Sequence, residues 1–140
     1  MKPHLRVVCA IILKQNKTLA VQRSEKMILP LKWEFPGGKI EPHESEVACI
    51  KREIQEELNI AIEVGQRLTP ATHEYPDFTI ELIPYVSTYK SGILTLNEHS
   101  QKLWLEKSKL ITLDWASADV PIVKEYVDLH PVSYIDTNEN

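Results

Sequence analysis

The chain has 140 residues, of which 43% are apolar and 26% charged, with a formal net charge of −4. That size fits one domain spanning residues 1–140, able to bury about two-thirds of its unfolded surface without disulfide or metal staples. The acidic balance excludes the basic footprint that a nucleic-acid polymer requires, so a polyanionic ligand would be small and held locally or through a cation.

The first predicted element is a strand, "LRVVCAIIL". Its apolar run from Val7 to Leu13 is flanked by Arg6 and Lys14, is too short to span a membrane and carries no small-residue cleavage site. These features read as a cytoplasmic protein with no membrane partner. Cys9 and Cys49 lie among apolar neighbours without CxxC or Cys/His spacing and read as buried, inert thiols. After the polar turn "KQNK" comes a second strand, "TLAVQR". The segment "FPGGKIEP" then offers two adjacent glycines, which allow a tight turn and close approach of the backbone to a ligand.

A helix is predicted from Ser45 to Leu58, with Val47, Ile50, Ile54 and Leu58 as its apolar stripe. Three further strands follow, "FTIELIPYVSTY", "GILTLN" and "KLWLE", rich in β-branched and aromatic residues. The second helix, "VPIVKEYVDL", sets Ile122, Val123, Tyr126 and Val127 on one side. The tail from residue 136, "DTNEN", is polar and expected to fray. This irregular mixture favours an α/β or α+β sandwich over a doubly wound parallel sheet.

Glu53, Glu56 and Glu57 sit on one side of the first helix, toward its carbonyl end. Neighbouring like charges on a helix cost a few tenths of a kcal/mol per pair, and they oppose the negative end of the macrodipole. At 100° per residue they span an arc of roughly 100°, clear of the apolar stripe, so the helix can dock on a sheet while its acidic side borders a cleft. From the charges alone two readings stand. One is a solvated face eased by Lys51 and Arg52; the other is a Mg²⁺ site, since carboxylates and backbone carbonyls are the hard oxygen ligands that ion takes. No calcium-loop series is present.

From Gly38 the chain reads Gly, five residues, Glu44, seven residues, Arg52-Glu53-Ile54, one residue, Glu56-Glu57, one residue, Asn59-Ile60. This resembles the Nudix box, G-x5-E-x7-R-E-U-x-E-E-x-G-U with U apolar. All fixed positions but one agree; Asn59 stands where the family has glycine. A left-handed helix cap is usually Gly and sometimes Asn, so the backbone role is expected to survive.

The resemblance implies an α/β/α sandwich with a mixed central sheet and a loop-helix-loop catalytic motif. It implies hydrolysis of nucleoside diphosphates linked to another group, with Mg²⁺ or Mn²⁺. Carried over, Glu53, Glu56, Glu57 and the Gly38 carbonyl would ligate metal, Arg52 would orient the glutamates and Glu44 would buttress the loop-helix junction. Glu53 is one candidate general base. Glu98, in "LTLNEHSQKLWLE", is the other, at about the place where MutT-like members carry a further catalytic and metal-binding glutamate.

The segments "WEFPGGKIE", "NEHSQKLWL" and "SADVPIV" extend the likeness to MutT-type nucleotide-pool enzymes over residues 5 to 130. That branch converts nucleoside triphosphates to monophosphate and pyrophosphate, with 8-oxo-dGTP, CTP and modified pyrimidine triphosphates among its substrates. ADP-ribose or dinucleotide hydrolysis, or non-catalytic nucleotide binding, are the alternatives.

Arg23 and Lys39 would contact phosphates, and Phe78, Phe35 and Leu82 are candidates for the base pocket, with core packing the competing reading for the last two. Asp119 precedes the second helix, where aspartate is a good N-cap. In the MutT-like pattern it approaches the base, where an ionised aspartate would accept from N–H donors such as the cytosine amine. A monomer is the default expectation.

Overall fold

The computed structural model describes residues 2–129, so the polar tail expected from residue 136 lies outside the described residues. The centre of the fold is β1 (His4–Lys14). Val8, Ala10 and Ile12 point to one side of it and Cys9 and Ile11 to the other, and all five are buried. A strand buried on both faces needs a layer on each, and the sheet supplies it with neighbours.

β1 turns through Gln15 and Asn16, both at positive φ, into antiparallel β2 (Lys17–Gln22). Paired positive-φ residues match the right-handed twist of a hairpin. On its other edge β1 runs parallel to β7 (Thr79–Gly92), from His4 opposite Thr79 to Leu13 opposite Thr88. Two short strands, β3 (Trp33–Glu34) and β4 (Gly37–Lys39), pair with β2 and β1. The antiparallel strands β5 (Ile60–Arg67) and β6 (Ala71–Glu74) pair with β7, and β8 (Gln101–Leu105) with β2. The result is a mixed eight-stranded sheet with the order β3-β2-β1-β7-β5 along its main path.

One face is covered by α1 (Glu46–Leu58), whose Cys49, Ile50, Ile54 and Leu58 pack on Val8, Ala10 and Ile12. Val47, predicted for that stripe, is 37% exposed, and Cys49 takes the inward position. The opposite face is covered by α2 (Val120–Asp128) through Ile122, Val123 and Tyr126. This is the expected α/β/α arrangement. Both cysteines are buried and free. Among the described residues no helix is long and apolar enough to cross a membrane.

"GILTLN" is not a strand. Gly92 ends β7 at φ +104, Ile93 is 81% exposed, and the chain then lies across the end of α1. There Thr95 N donates to Leu58 O (2.9 Å), Asn97 N to Glu57 O (3.2 Å) and Asn97 Nδ2 to Glu56 O (2.6 Å). The last carbonyls of a helix lack intrahelical partners, and this loop satisfies three of them. That demand, not sheet pairing, fixes the path that delivers Glu98.

Candidate active site

The loop from β4 into α1 is built around Arg52. Ser45 is the N-cap, its Oγ accepting from Ala48 N at 3.0 Å. The first turn is thus anchored with Glu44 just outside it. Glu44 Oε1 accepts from Glu41 N (3.0 Å), and its two oxygens accept from Arg52 Nε (2.6 Å) and Nη2 (2.9 Å). Those bonds hold the Glu44 carboxyl down at about 2. Arg52 Nη1 reaches the other way, to Glu53 Oε2 (3.0 Å) and Glu56 Oε1 (3.3 Å). The helix closes at Asn59, whose φ of 61° and ψ of 33° are left-handed, with its N–H donating to Gln55 O. Asparagine does there what the family's glycine does.

The acidic side points where charge is unwelcome. Glu53 is half-buried, and burial raises its carboxyl against the pull of Arg52. Burial, reinforced by the charges of Glu53, Glu34 and Glu98, pushes the Glu57 carboxyl up to about 9. Glu57 Oε1 is buried without a hydrogen-bond partner. Gly38 lies against Glu53 so closely that a Cβ there would fall inside the carboxylate. A divalent cation fits this place: it supplies the orphaned oxygen with a partner and relieves the crowding of anions. Among the described residues no three acidic, His or Cys side chains form a finished metal cluster. Mg²⁺ does not require one, since it commonly keeps waters and takes substrate phosphates beside one or two carboxylates.

Glu57, Gly38, Lys39 and Glu98 line a cavity of about 330 Å³. Glu98 and Lys39 are exposed at it. Phe35, Tyr75, Phe78, Leu82 and Asp119 also line this cavity, so three of the predicted metal residues, Gly38, Glu57 and Glu98, share it with the predicted base residues, while Glu53 and Glu56 are not part of its lining. Phe78 packs against Tyr75 with ring centroids 4.9 Å apart. Phe35 backs onto Trp115 (4.8 Å), and it and Leu82 serve the core as well as the wall.

Asp119 and Arg23 line the cavity and also make bonds within the fold. Asp119 occupies the N-cap position of α2 but makes no side-chain capping bond. Instead Oδ2 accepts from Phe35 N at 3.0 Å, and the residue is 4% exposed. Burial, then the nearby Glu34 charge, push its carboxyl well above the usual range. That shift is toward the protonated form, which donates as well as accepts. Arg23 lines the cavity with its Nε and Nη1 engaged by Ile28 O (2.5 Å) and Glu34 Oε1 (2.7 Å). Glu34, Tyr75 and His99 were not predicted. Two of them stand inside quoted segments, "WEFPGGKIE" and "NEHSQKLWL".

An α/β/α sandwich with an acidic loop-helix-loop opening onto a partly apolar cavity defines a Nudix-type hydrolase. A family model of the NUDIX domain matches residues 7–125, and the chain belongs to that family. It is similar to a CTP pyrophosphohydrolase of Escherichia coli K12, 32% identical over 125 residues that cover 89% of this chain and 93% of that one. An 8-oxo-dGTP diphosphatase of Proteus vulgaris is 34% identical over 67% of this chain and 85% of its own. Among solved structures, the MutT protein of methicillin-resistant Staphylococcus aureus 252, a Nudix hydrolase, superposes with a TM-score of 0.75 at 44% identity, covering 91% of this chain and 98% of that one. The protein is thus a Nudix pyrophosphohydrolase of MutT-like kind.

Proposed function

We propose that this protein hydrolyses a nucleoside triphosphate to its monophosphate and pyrophosphate with Mg²⁺ or Mn²⁺. It acts as a cytoplasmic monomer on CTP, modified pyrimidine or oxidised purine nucleotides such as 8-oxo-dGTP, in sanitation of the nucleotide pool. The observation that carries this reading is a cavity whose lining brings Glu57 and Glu98 together with the rings of Tyr75 and Phe78. Its volume of about 330 Å³ falls within the size range of small-molecule sites.

Glu53, Glu56, Glu57, Glu98 and the Gly38 carbonyl would hold the cation. When bound it neutralises the phosphate oxygens and acidifies a water, the two obstacles to attack on a pyrophosphate link. The chain's own groups do the rest. Arg52 keeps Glu53 and Glu56 aimed through its Nη1, and Glu44 seats Arg52 by a two-point bond. Lys39, exposed at the cavity, meets the phosphates. Glu98, which lines the same cavity, takes up the proton of the attacking water on a carboxylate oxygen, with Glu53 the alternative. Phe78 and Tyr75 offer ring faces to the base, and Asp119 offers its carboxyl to its edge.

The test is product analysis with purified protein, Mg²⁺ and a panel of CTP, dCTP, 5-methyl-dCTP, 8-oxo-dGTP, dGTP and ADP-ribose. Monophosphate and pyrophosphate from one or more triphosphates, lost by about a hundredfold or more in kcat on Glu53→Gln, is expected. Metal-dependent turnover of ADP-ribose alone would overturn the substrate class.

A further inference from the structure

The cavity wall also carries a chain of three side chains that the roles above leave unused. His99 has a side-chain exposure of 2%, and its Nε2 lies 2.8 Å from Glu34 Oε2. Arg23 Nη1 donates to Glu34 Oε1 at 2.7 Å, and Arg23 Nε to Ile28 O at 2.5 Å. All four residues line the cavity.

An ionised carboxylate can only accept, so the imidazole donates through Nε2. Its Nδ1 is buried and has no hydrogen-bond partner. A buried polar atom left unpaired costs stability, so space filling does not account for a histidine here. An apolar side chain of similar size would pack without that cost. What the histidine adds is its hold on Glu34. Each Glu34 oxygen then has one donor, and its remaining acceptor capacity is held in a fixed direction.

We propose that His99 is a positioning residue for base selection: together with Arg23 it holds Glu34 as a rigid acceptor on the cavity wall, which favours nucleobase edges presenting N–H and rejects those presenting a carbonyl or bare nitrogen. The inference rests on the triphosphate reading above and names the group that sets preference within that site. It predicts discrimination between close pairs. Cytosine presents an amine where uracil has a carbonyl, and 8-oxoguanine has an N7–H where guanine has a bare N7.

The experiment measures kcat and KM for CTP against UTP and for 8-oxo-dGTP against dGTP, in the wild type, His99→Leu, His99→Gln and Arg23→Met. The wild type is expected to favour the N–H member of the pair it turns over. His99→Leu should shrink that ratio by about tenfold or more, mainly through KM of the favoured substrate. His99→Gln, whose amide can donate to Glu34, should restore most of it. Arg23→Met removes the other donor and should also shrink the ratio, which keeps the test open if His99→Leu does not fold. Unchanged ratios in folded variants, or a wild type without discrimination, would overturn the inference and leave the triphosphate reading intact. A wild type that turns over no triphosphate would overturn both.

Discussion

Arg52 shows how much one side chain can organise. Its guanidinium spans Glu44 on one side and Glu53 and Glu56 on the other, four contacts that only a planar fork with several fixed donors can make at once. Lysine keeps the charge and loses the fork, so Arg52→Lys should weaken Mg²⁺ affinity by about 10- to 100-fold, as expected when a metal-supporting residue is removed. Titrating activity with Mg²⁺ for both proteins checks this. Gly38→Ala should be as damaging for a steric reason, because its Cβ must displace the Glu53 carboxylate. These positions are legible in the sequence because they lie within one turn or one loop of each other, where spacing dictates geometry. Glu34 and His99 are not. They are 65 residues apart, and nothing in local spacing says that β3 and the segment before β8 will bring them to 2.8 Å. For Asp119 the sequence leaves a helix cap and a base contact open; the structure removes the cap, because the Phe35 amide across the fold claims the carboxyl, and sets the residue in the cavity lining.

At the scale of elements, α1 is held at both ends by side-chain chemistry. Ser45→Ala removes the N-cap acceptor and should cost about 1 kcal/mol by chemical denaturation, with little direct effect on the carboxylates. Asn97→Ala should do the reverse. It removes one of the bonds that lay the Glu98 loop across the helix end, so kcat should fall by more than the small loss of stability accounts for. The two helices and the long strands could be read from periodicity because each repeats its pattern over enough residues. β5 also alternates, with Ile60 and Ile62 buried, and was legible in principle. β3 and β4, of two and three residues, are too short to carry a period and exist because β2 and β1 offer them edges. The apolar letters of "GILTLN" resemble a strand, yet the unpaired carbonyls at the end of α1 recruit that backbone first.

For the molecule as a whole, the acidic wall links stability, pH and cation binding. Glu57 is raised to about 9 when folded, against roughly 4.3 in an unfolded chain. Between those values the folded state binds more protons than the unfolded one, so stability falls as pH rises through the window. Asp119 is raised as well and acts with the same sign. Glu44 and Glu46 are held near about 2 by their arginines, so their contribution is complete above the ordinary carboxylate range and is lost only on acidification toward that value. Above roughly pH 5.5 they leave the slope to the raised groups. A cation needs Glu57 ionised, so its binding releases a proton and strengthens with pH. In chelator-treated protein, the melting temperature should therefore drop from about pH 5.5 to 8.5, and the increase produced by saturating Mg²⁺ should grow over the same interval. Glu57→Gln should flatten the metal-free slope and remove most of the Mg²⁺ increment, because the amide carries no proton to lose and no charge to offer. Thermal melts across pH with and without Mg²⁺ read both effects. Calorimetry of Mg²⁺ binding in two buffers of different ionisation enthalpy counts the proton released. A metal-free melting temperature that climbs with pH, with no proton released on binding, would mean that Glu57 is already ionised in the free protein and that the crowded carboxylates are relieved by something other than the cation.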